Sequence, residues 1–276
     1  MTDRYVVIGH PVAHSQSPRI HSMFAAQTGQ DITYEKLLAP VDGFADAVRD
    51  FISAGGCGAN VTLPFKLEAY ELADKTSDRA RYAKAANTLS FVDGQITADN
   101  TDGVGLVRDI ETNLEFKLKG CRILLIGAGG AARGVLLPLL QARPDSLVIA
   151  NRTVEKATRL VHGIEHGTVS MAAGMAACGF DQLFGQQFDL VVNATSSSLS
   201  DELPPLPDDL FAPGALAYDM MYGKGLTSFL AFAEAREVER LADGLGMLVE
   251  QAAESFLIWR GVRPDTRLVM QALRKG

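Results

Sequence analysis

A glycine run with a strand before it and a helix after it constrains this chain more than any other feature. Cys121-Arg-Ile-Leu-Leu-Ile126 is near-continuously apolar, as strands buried on both faces of a parallel sheet are, and it runs straight into Gly127-Ala-Gly-Gly-Ala-Ala132 and a helix reaching Gln141. This is G-x-G-x-x-A in the setting that gives the pattern meaning: the glycines let backbone approach a pyrophosphate, and the helix N-terminus faces its charge. The spacing predicts a dinucleotide site on Gly127, Ala128, Gly129, Gly130 and Ala131, against the plainer reading of a glycine-rich turn. Pro138 removes the bond to Gly134 and is expected to kink that helix. The next strand, 146–150, ends in Asn151-Arg152-Thr153 with Lys156 one turn on, where NAD binders usually carry an acid. A guanidinium and an ammonium there suit a 2′-phosphate, so NADP is expected; the plain alternative is two solvated residues at a helix start.

Upstream, short runs rich in Val and Ile alternate with helical patterns, which reads as α/β. The pattern predicts strands at 4–9, 32–38 and 58–62, and helices at 18–28 (ended by Gly29), 43–53 and from Pro64 and Phe65 onward. A hairpin turns at Val92-Asp-Gly94, and a helix follows at 104–112. With 276 residues the chain is long for one domain and comfortable for two. The expected division is 1–102, rejoined by C-terminal helices from about 244, and 103–243, with a cleft that the chain crosses twice.

Several classes are excluded. A net charge of −7 without clustered Lys and Arg speaks against nucleic acid. Cys57, Cys121 and Cys178 are far apart and lack CxxC spacing, and the four-residue spacing of His162 and His166 is interrupted by Gly163, so neither a disulfide framework nor a metal site is expected. No apolar run is long enough to span a membrane, and a strand begins too early to leave room for a leader. These points predict a cytoplasmic protein, monomer or homodimer.

Reduction of a ketone by NADPH needs a hydride from the cofactor and a proton from the protein, and the first domain offers candidates. Ser15 and Ser17 precede Pro18 at a helix start, a good seat for a small carboxylate, although Ser17 could simply be the helix cap. Asn60-Val-Thr62-Leu-Pro-Phe-Lys66, Asn87-Thr88 and Asn100-Thr101-Asp102 are read at strand ends, which line the ligand crevice in open α/β sheets. Each has a plain reading: Thr62 and Asn87 as turn residues, Lys66 as a snorkelling surface residue, Asp102 as a helix cap.

These segments, with Gly9-His-Pro-Val-Ala-His-Ser15-Gln-Ser17-Pro18, Asn193-Ala-Thr-Ser196, Tyr218-Asp-Met-Met-Tyr222 and Gly244-Leu-Gly-Met-Leu-Val-Glu-Gln251, resemble shikimate dehydrogenase in order and spacing along almost the whole chain. The resemblance implies an α/β substrate domain and a Rossmann-type NADP domain, and the reversible reduction of 3-dehydroshikimate to shikimate on the way to chorismate and the aromatic amino acids. It implies that Ser15 and Ser17 hold the substrate carboxylate, that Thr62, Asn87, Asp102, Tyr222 and Gln251 meet its other oxygens, and that Lys66 and Asp102 are the catalytic pair. For the cofactor it implies residues 127–131, Asn151, Arg152, Thr153 and Lys156, together with Thr195, Met220, Gly244 and Asp78. Ser198 replaces a glycine usual in the family, and Ser22 an asparagine. The rivals are a quinate/shikimate dehydrogenase using NAD or quinate, a non-catalytic shikimate sensor, and a folate-metabolising dehydrogenase of similar shape.

Overall fold

The computed structural model describes residues 2–165, 174–195, 203–223 and 225–275, and their contacts cluster into two units. One runs to Gly105 and resumes at Leu248; the other is Leu106–Met247.

The first unit holds β1 (Asp3–Gly9), α1 (Ser17–Thr28), β2 (Ile32–Leu38), α2 (Phe44–Ser53), β3 (Gly56–Val61), α3 (Lys66–Glu71), β4 (Lys75–Thr76), α4 (Asp78–Ala83), β5 (Thr88–Val92) and β6 (Gln95–Asp99). Its sheet has the order β2-β1-β3-β5-β6-β4. β1 runs parallel to β2 and β3, whereas β5 is antiparallel to both β3 and β6. β5 turns back into β6 through a hairpin: Asp93 and Gly94 have φ of 51° and 73°, the left-handed pair that a two-residue turn between twisted strands requires. α2 buries Phe44, Val48 and Phe51, one helical face, into a core with Val6, Ile8, Phe65 and Leu89.

α5 (Asp102–Arg108) begins in this unit, and the helix expected at 104–112 starts two residues earlier and widens into a π-type turn at Asp109–Asn113. Asp109 is buried in that turn and takes bonds from the Tyr218 hydroxyl at 2.7 Å and Asn113 Nδ2 at 2.9 Å, contacts that favour the wider winding.

The second unit contains β7 (Arg122–Ile126), α6 (Gly130–Gln141), β8 (Ser146–Ala150), α7 (Val154–Glu165), β9 (Gly174–Cys178), β10 (Phe188–Asn193), β11 (Phe211–Asp219), α8 (Ser228–Glu234) and β12 (Arg240–Ala242). All six strands are parallel, in the order β12-β11-β10-β7-β8-β9. Ile123 to Ile126 are each 0% exposed, as the apolar run requires. This is the doubly wound order, with its switch point between β7 and β10. Pro138 lies buried inside α6. α9 (Leu245–Arg260) carries the chain back to the first unit, where α10 (Thr266–Arg274) follows.

Within the first unit, α1, α9 and α10 share a core of Ile20, Phe24, Val249, Phe256 and Val269. His21 sits beside it, fully buried, stacked on Tyr34 with ring centroids 4.1 Å apart, and neither ring nitrogen has a hydrogen-bond partner among the described residues. Burial pushes its pKa down to about 3, with the neighbouring Asn60 amide opposing. The unfolded chain therefore binds a proton below about 6.5 that the folded chain refuses, so stability falls as pH drops through that window. Between pH 7 and pH 5 this group alone should cost about 2 kcal/mol. Urea midpoints at the two pH values should show His21→Phe to be less acid-sensitive by about that amount; an unchanged pH slope would assign the sensitivity to other groups.

Candidate active site

In the first unit, the ends of three strands meet at one edge of the sheet. β3 and β6 finish there, and Thr88 at the start of β5 pairs with both Asn60 and Asp99. Asn87-Thr88, read at a strand end, stands at the start of β5, and the antiparallel run of β5 brings that start to this edge.

Lys66, the first residue of α3, donates from Nζ to Asp102 Oδ2 at 2.6 Å, with the two side chains 25% and 9% exposed. The other oxygen, Oδ1, accepts from Asn87 Nδ2 at 2.8 Å, so the carboxylate is held from both sides. Asp102 is itself the first residue of α5 and its side chain bonds no helix N–H, which displaces the cap reading. Asn87 is buried and fully used: Nδ2 also reaches Gln251 Oε1 at 3.1 Å, while Oδ1 accepts from the Thr101 N–H at 2.8 Å and the Thr88 hydroxyl at 2.9 Å. A buried amide with this many partners is a structural hub rather than a turn former. Gln251 is anchored on α9 by its own bond to the Leu248 carbonyl at 2.8 Å.

Ser17 does not cap α1. The helix begins at Ser17 itself, and the preceding Gln16 already has near-helical dihedrals and makes no side-chain cap. Ser15 takes the capping part instead: its Oγ accepts from the Ser17 N–H at 3.3 Å and donates to Ser17 Oγ at 3.1 Å, which leaves two hydroxyls side by side at an open helix end. The Thr62 hydroxyl, just past β3, has no hydrogen bond among the described residues. Asp78, at the start of α4, pairs with Arg81 on its own helix.

In the second unit the glycine loop leaves β7 at the switch point. Gly127 has φ of +107°, and a Cβ there would stand 3.0 Å from Thr195 Cγ2 and 3.2 Å from the Ala194 carbonyl oxygen, so both conformation and space demand glycine. Gly129 and Gly130 face open space where a side chain would project, at a helix start whose first N–H groups lack intrahelical partners. Ala128 and Ala131 complete the turn. Beyond β8, Asn151 Nδ2 donates to the Thr153 carbonyl at 2.8 Å and fixes the loop, while Arg152 and Lys156 are exposed and make no side-chain hydrogen bond or ion pair with a described residue. These are features a dinucleotide 2′-phosphate fits: backbone donors with open approach, and cations not already neutralised.

Thr195 is pinned by Asn193 Oδ1, which accepts its hydroxyl at 2.7 Å. Met220 donates its N–H to the Asn193 carbonyl at 3.0 Å, and a Cβ on Gly244 would lie 2.1 Å from the Met220 oxygen, so the two loops touch backbone to backbone. Tyr222 is 39% exposed at the end of this stretch. His166, Ser196 and Ser198 lie outside the described residues.

Sequence reasoning named Asn60 as a candidate but not its partners, and gave Ser255 no part in the site. Asn60 and Ser255 are buried; Asn60 Nδ2 donates to the Asn87 carbonyl at 3.1 Å and to Ser255 Oγ at 3.0 Å, and Ser255 lies 2.8 Å from the Thr88 hydroxyl. One signal was available for Ser255: it is a polar residue within the apolar stripe Leu248, Ala252, Phe256 of α9, where a hydroxyl needs partners.

Three family profiles match the chain. One described as shikimate dehydrogenase substrate binding domain covers residues 7–89, one described as shikimate/quinate 5-dehydrogenase covers 109–200, and one described as shikimate 5′-dehydrogenase C-terminal domain covers 244–274. The shikimate dehydrogenase (NADP(+)) of Methylobacillus flagellatus is 60% identical over 272 residues, covering 99% of each chain. Among solved structures, an Ael1 enzyme from Pseudomonas putida superposes with a TM-score of 0.92 at 53% identity, covering 99% of this chain and 98% of that one. The shikimate 5-dehydrogenase of Thermus thermophilus in complex with NADP(H) and shikimate gives 0.86 at 30% identity over 99% of both.

Proposed function

Since the chain belongs to the shikimate dehydrogenase family, we propose that it carries out the NADP-dependent, reversible reduction of 3-dehydroshikimate to shikimate, with Lys66 exchanging the proton and Asp102 holding Lys66 in place. The observation that carries the assignment is the part-buried Lys66–Asp102 contact of 2.6 Å, locked from its far side by Asn87. When bound, NADPH supplies the hydride that ends on the carbonyl carbon.

The chain's own groups do the rest. The Lys66 ammonium gives its proton to the C3 oxygen in the reducing direction and takes it back in the other. Asp102 accepts from Lys66 and from a ring hydroxyl, so a change in one is felt by the other. Ser15 and Ser17, at the open end of α1, receive the carboxylate with two hydroxyls and helix N–H groups, which suits a chain of net charge −7 that offers no broad cationic surface. Asn87, Gln251, Thr62 and Tyr222 present amide and hydroxyl groups to the remaining oxygens.

For the cofactor, residues 127–131 take the pyrophosphate, and Asn151, Arg152, Thr153 and Lys156 the 2′-phosphate; Thr195, Met220 and Gly244 border the nicotinamide, and Asp78 is a further cofactor contact. Replacing both Arg152 and Lys156 with alanine is expected to raise the KM for NADP about 10- to 100-fold and leave that for NAD nearly unchanged. Initial rates with each cofactor decide this, and an equal rise for both would place the 2′-phosphate elsewhere. Placement in the biosynthesis of chorismate and aromatic amino acids follows from the same reaction. Three free cysteines and the acidic charge support a cytoplasmic monomer or homodimer that binds small molecules and not nucleic acid. No helix among the described residues is long and apolar enough to cross a membrane.

A further inference from the structure

Six of the groups assigned above to the substrate fall in two sets within the first unit. Ser15 and Ser17 lie at the start of α1, and Lys66, Asn87, Asp102 and Gln251 gather at the ends of β3, β5 and β6 and on α9. A tyrosine on β2 connects them. β1 lies between β2 and β3 in the sheet, and the Tyr34 side chain crosses it to donate its hydroxyl to Asn60 Oδ1 at 2.7 Å. Its ring is held by the stacked His21, whose plane is nearly parallel at 3°. Burial raises the phenol well above its ordinary value, with Ser17 opposing, so the group stays a protonated donor.

That bond decides how Asn60 is used. With Oδ1 occupied by Tyr34, the Asn60 amide nitrogen is turned toward the Asn87 carbonyl at 3.1 Å, Thr88 Oγ1 at 3.3 Å and Ser255 Oγ at 3.0 Å. Asn87 in turn donates to Asp102 and Gln251. Contacts therefore run from α1, through the ring of His21 one turn past Ser17, to the Tyr34 hydroxyl and on by hydrogen bonds to the proton-transfer pair, and Tyr34 is the link.

We propose that Tyr34 is a positioning residue for the reaction: its hydroxyl sets the distance between the serines that seat the carboxylate and the Asn60–Asn87 framework that seats the ring hydroxyls. A rigid substrate with a carboxylate at one end and its reacting carbon at the other is gripped at two places, and the spacing of the grips decides how well it binds. The inference rests on the substrate reading given above. Tyr34→Phe removes one oxygen and keeps the stack on His21, but leaves Asn60 Oδ1, on a residue 6% exposed, without its partner and free to exchange places with Nδ2.

Steady-state kinetics of Tyr34→Phe, Ser17→Ala and the double variant, with thermal melts of each, test it. Tyr34→Phe is expected to raise the KM for shikimate about tenfold, with kcat and the KM for NADP within about twofold, and the double variant to lose less than the product of the two single losses. An unchanged shikimate KM in Tyr34→Phe, where Ser17→Ala raises it, overturns the inference and leaves the substrate reading standing. A Ser17→Ala variant with a normal shikimate KM overturns both. Parallel losses in kcat and both KM values, together with a lowered melting temperature, would make Tyr34 a general packing residue.

Discussion

Lys66→Ala is expected to lower turnover of shikimate about 10²- to 10⁴-fold, while shikimate still binds within about tenfold of the unaltered affinity. The proton that leaves or joins the C3 oxygen has one ammonium donor in this account, and removing it takes away transition-state help more than ground-state contact. Alanine also leaves Asp102, 9% exposed, with Asn87 but without its cation, so some weakening of binding follows. Lys66→Arg separates charge from proton transfer. The guanidinium restores a cation beside Asp102 but does not give up its proton near neutrality, so turnover should stay low even where the fold and binding recover. Stopped-flow rates with calorimetric binding of shikimate supply both numbers. Near-normal turnover in Lys66→Ala would remove the lysine from the chemistry.

Asp102→Asn is expected to damage turnover and the KM for shikimate together, each by about tenfold or more, because one carboxylate serves Lys66 through Oδ2 and Asn87 through Oδ1. The asparagine keeps the shape, but with one acceptor oxygen it cannot satisfy an ammonium and an amide at once without turning its own N–H groups on one of them. An acid in the first turn of α5 also favours the helix by about 0.3 to 1 kcal/mol, so a small loss of stability accompanies the change. Kinetics and melting of the same preparation separate the two effects. Loss of stability alone, with kinetics intact, would return Asp102 to a purely structural part.

Much of the fold is legible where the signal is local. The glycine loop after an apolar strand, the Asp93-Gly94 hairpin and the Gly29 helix end, with φ of 63°, each depend on a few adjacent residues, and the structure places them as their chemistry requires. The site is legible only in part, because its geometry comes from pairings between distant segments. Asn60 meets Ser255 across 195 positions, Tyr34 meets Asn60 across 26, and Lys66 meets Asp102 across 36. No periodicity announces such contacts. The antiparallel run of β5 beside β3 carries Asn87 to the edge where β3 and β6 finish, and that pairing is not written in either strand alone. Ser17 is no cap because the helix starts one residue earlier than the Ser-Pro pair suggests: the Ile20 N–H already bonds the Gln16 carbonyl, which makes Ser17 the first helical residue.

The most direct test of the central claim is nicotinamide absorbance with purified protein, running shikimate and quinate each against NADP and NAD. The account predicts fast reduction with shikimate and NADP, and much slower or no reduction in the other three pairings. Turnover favouring quinate or NAD, or silence in all four, would contradict it.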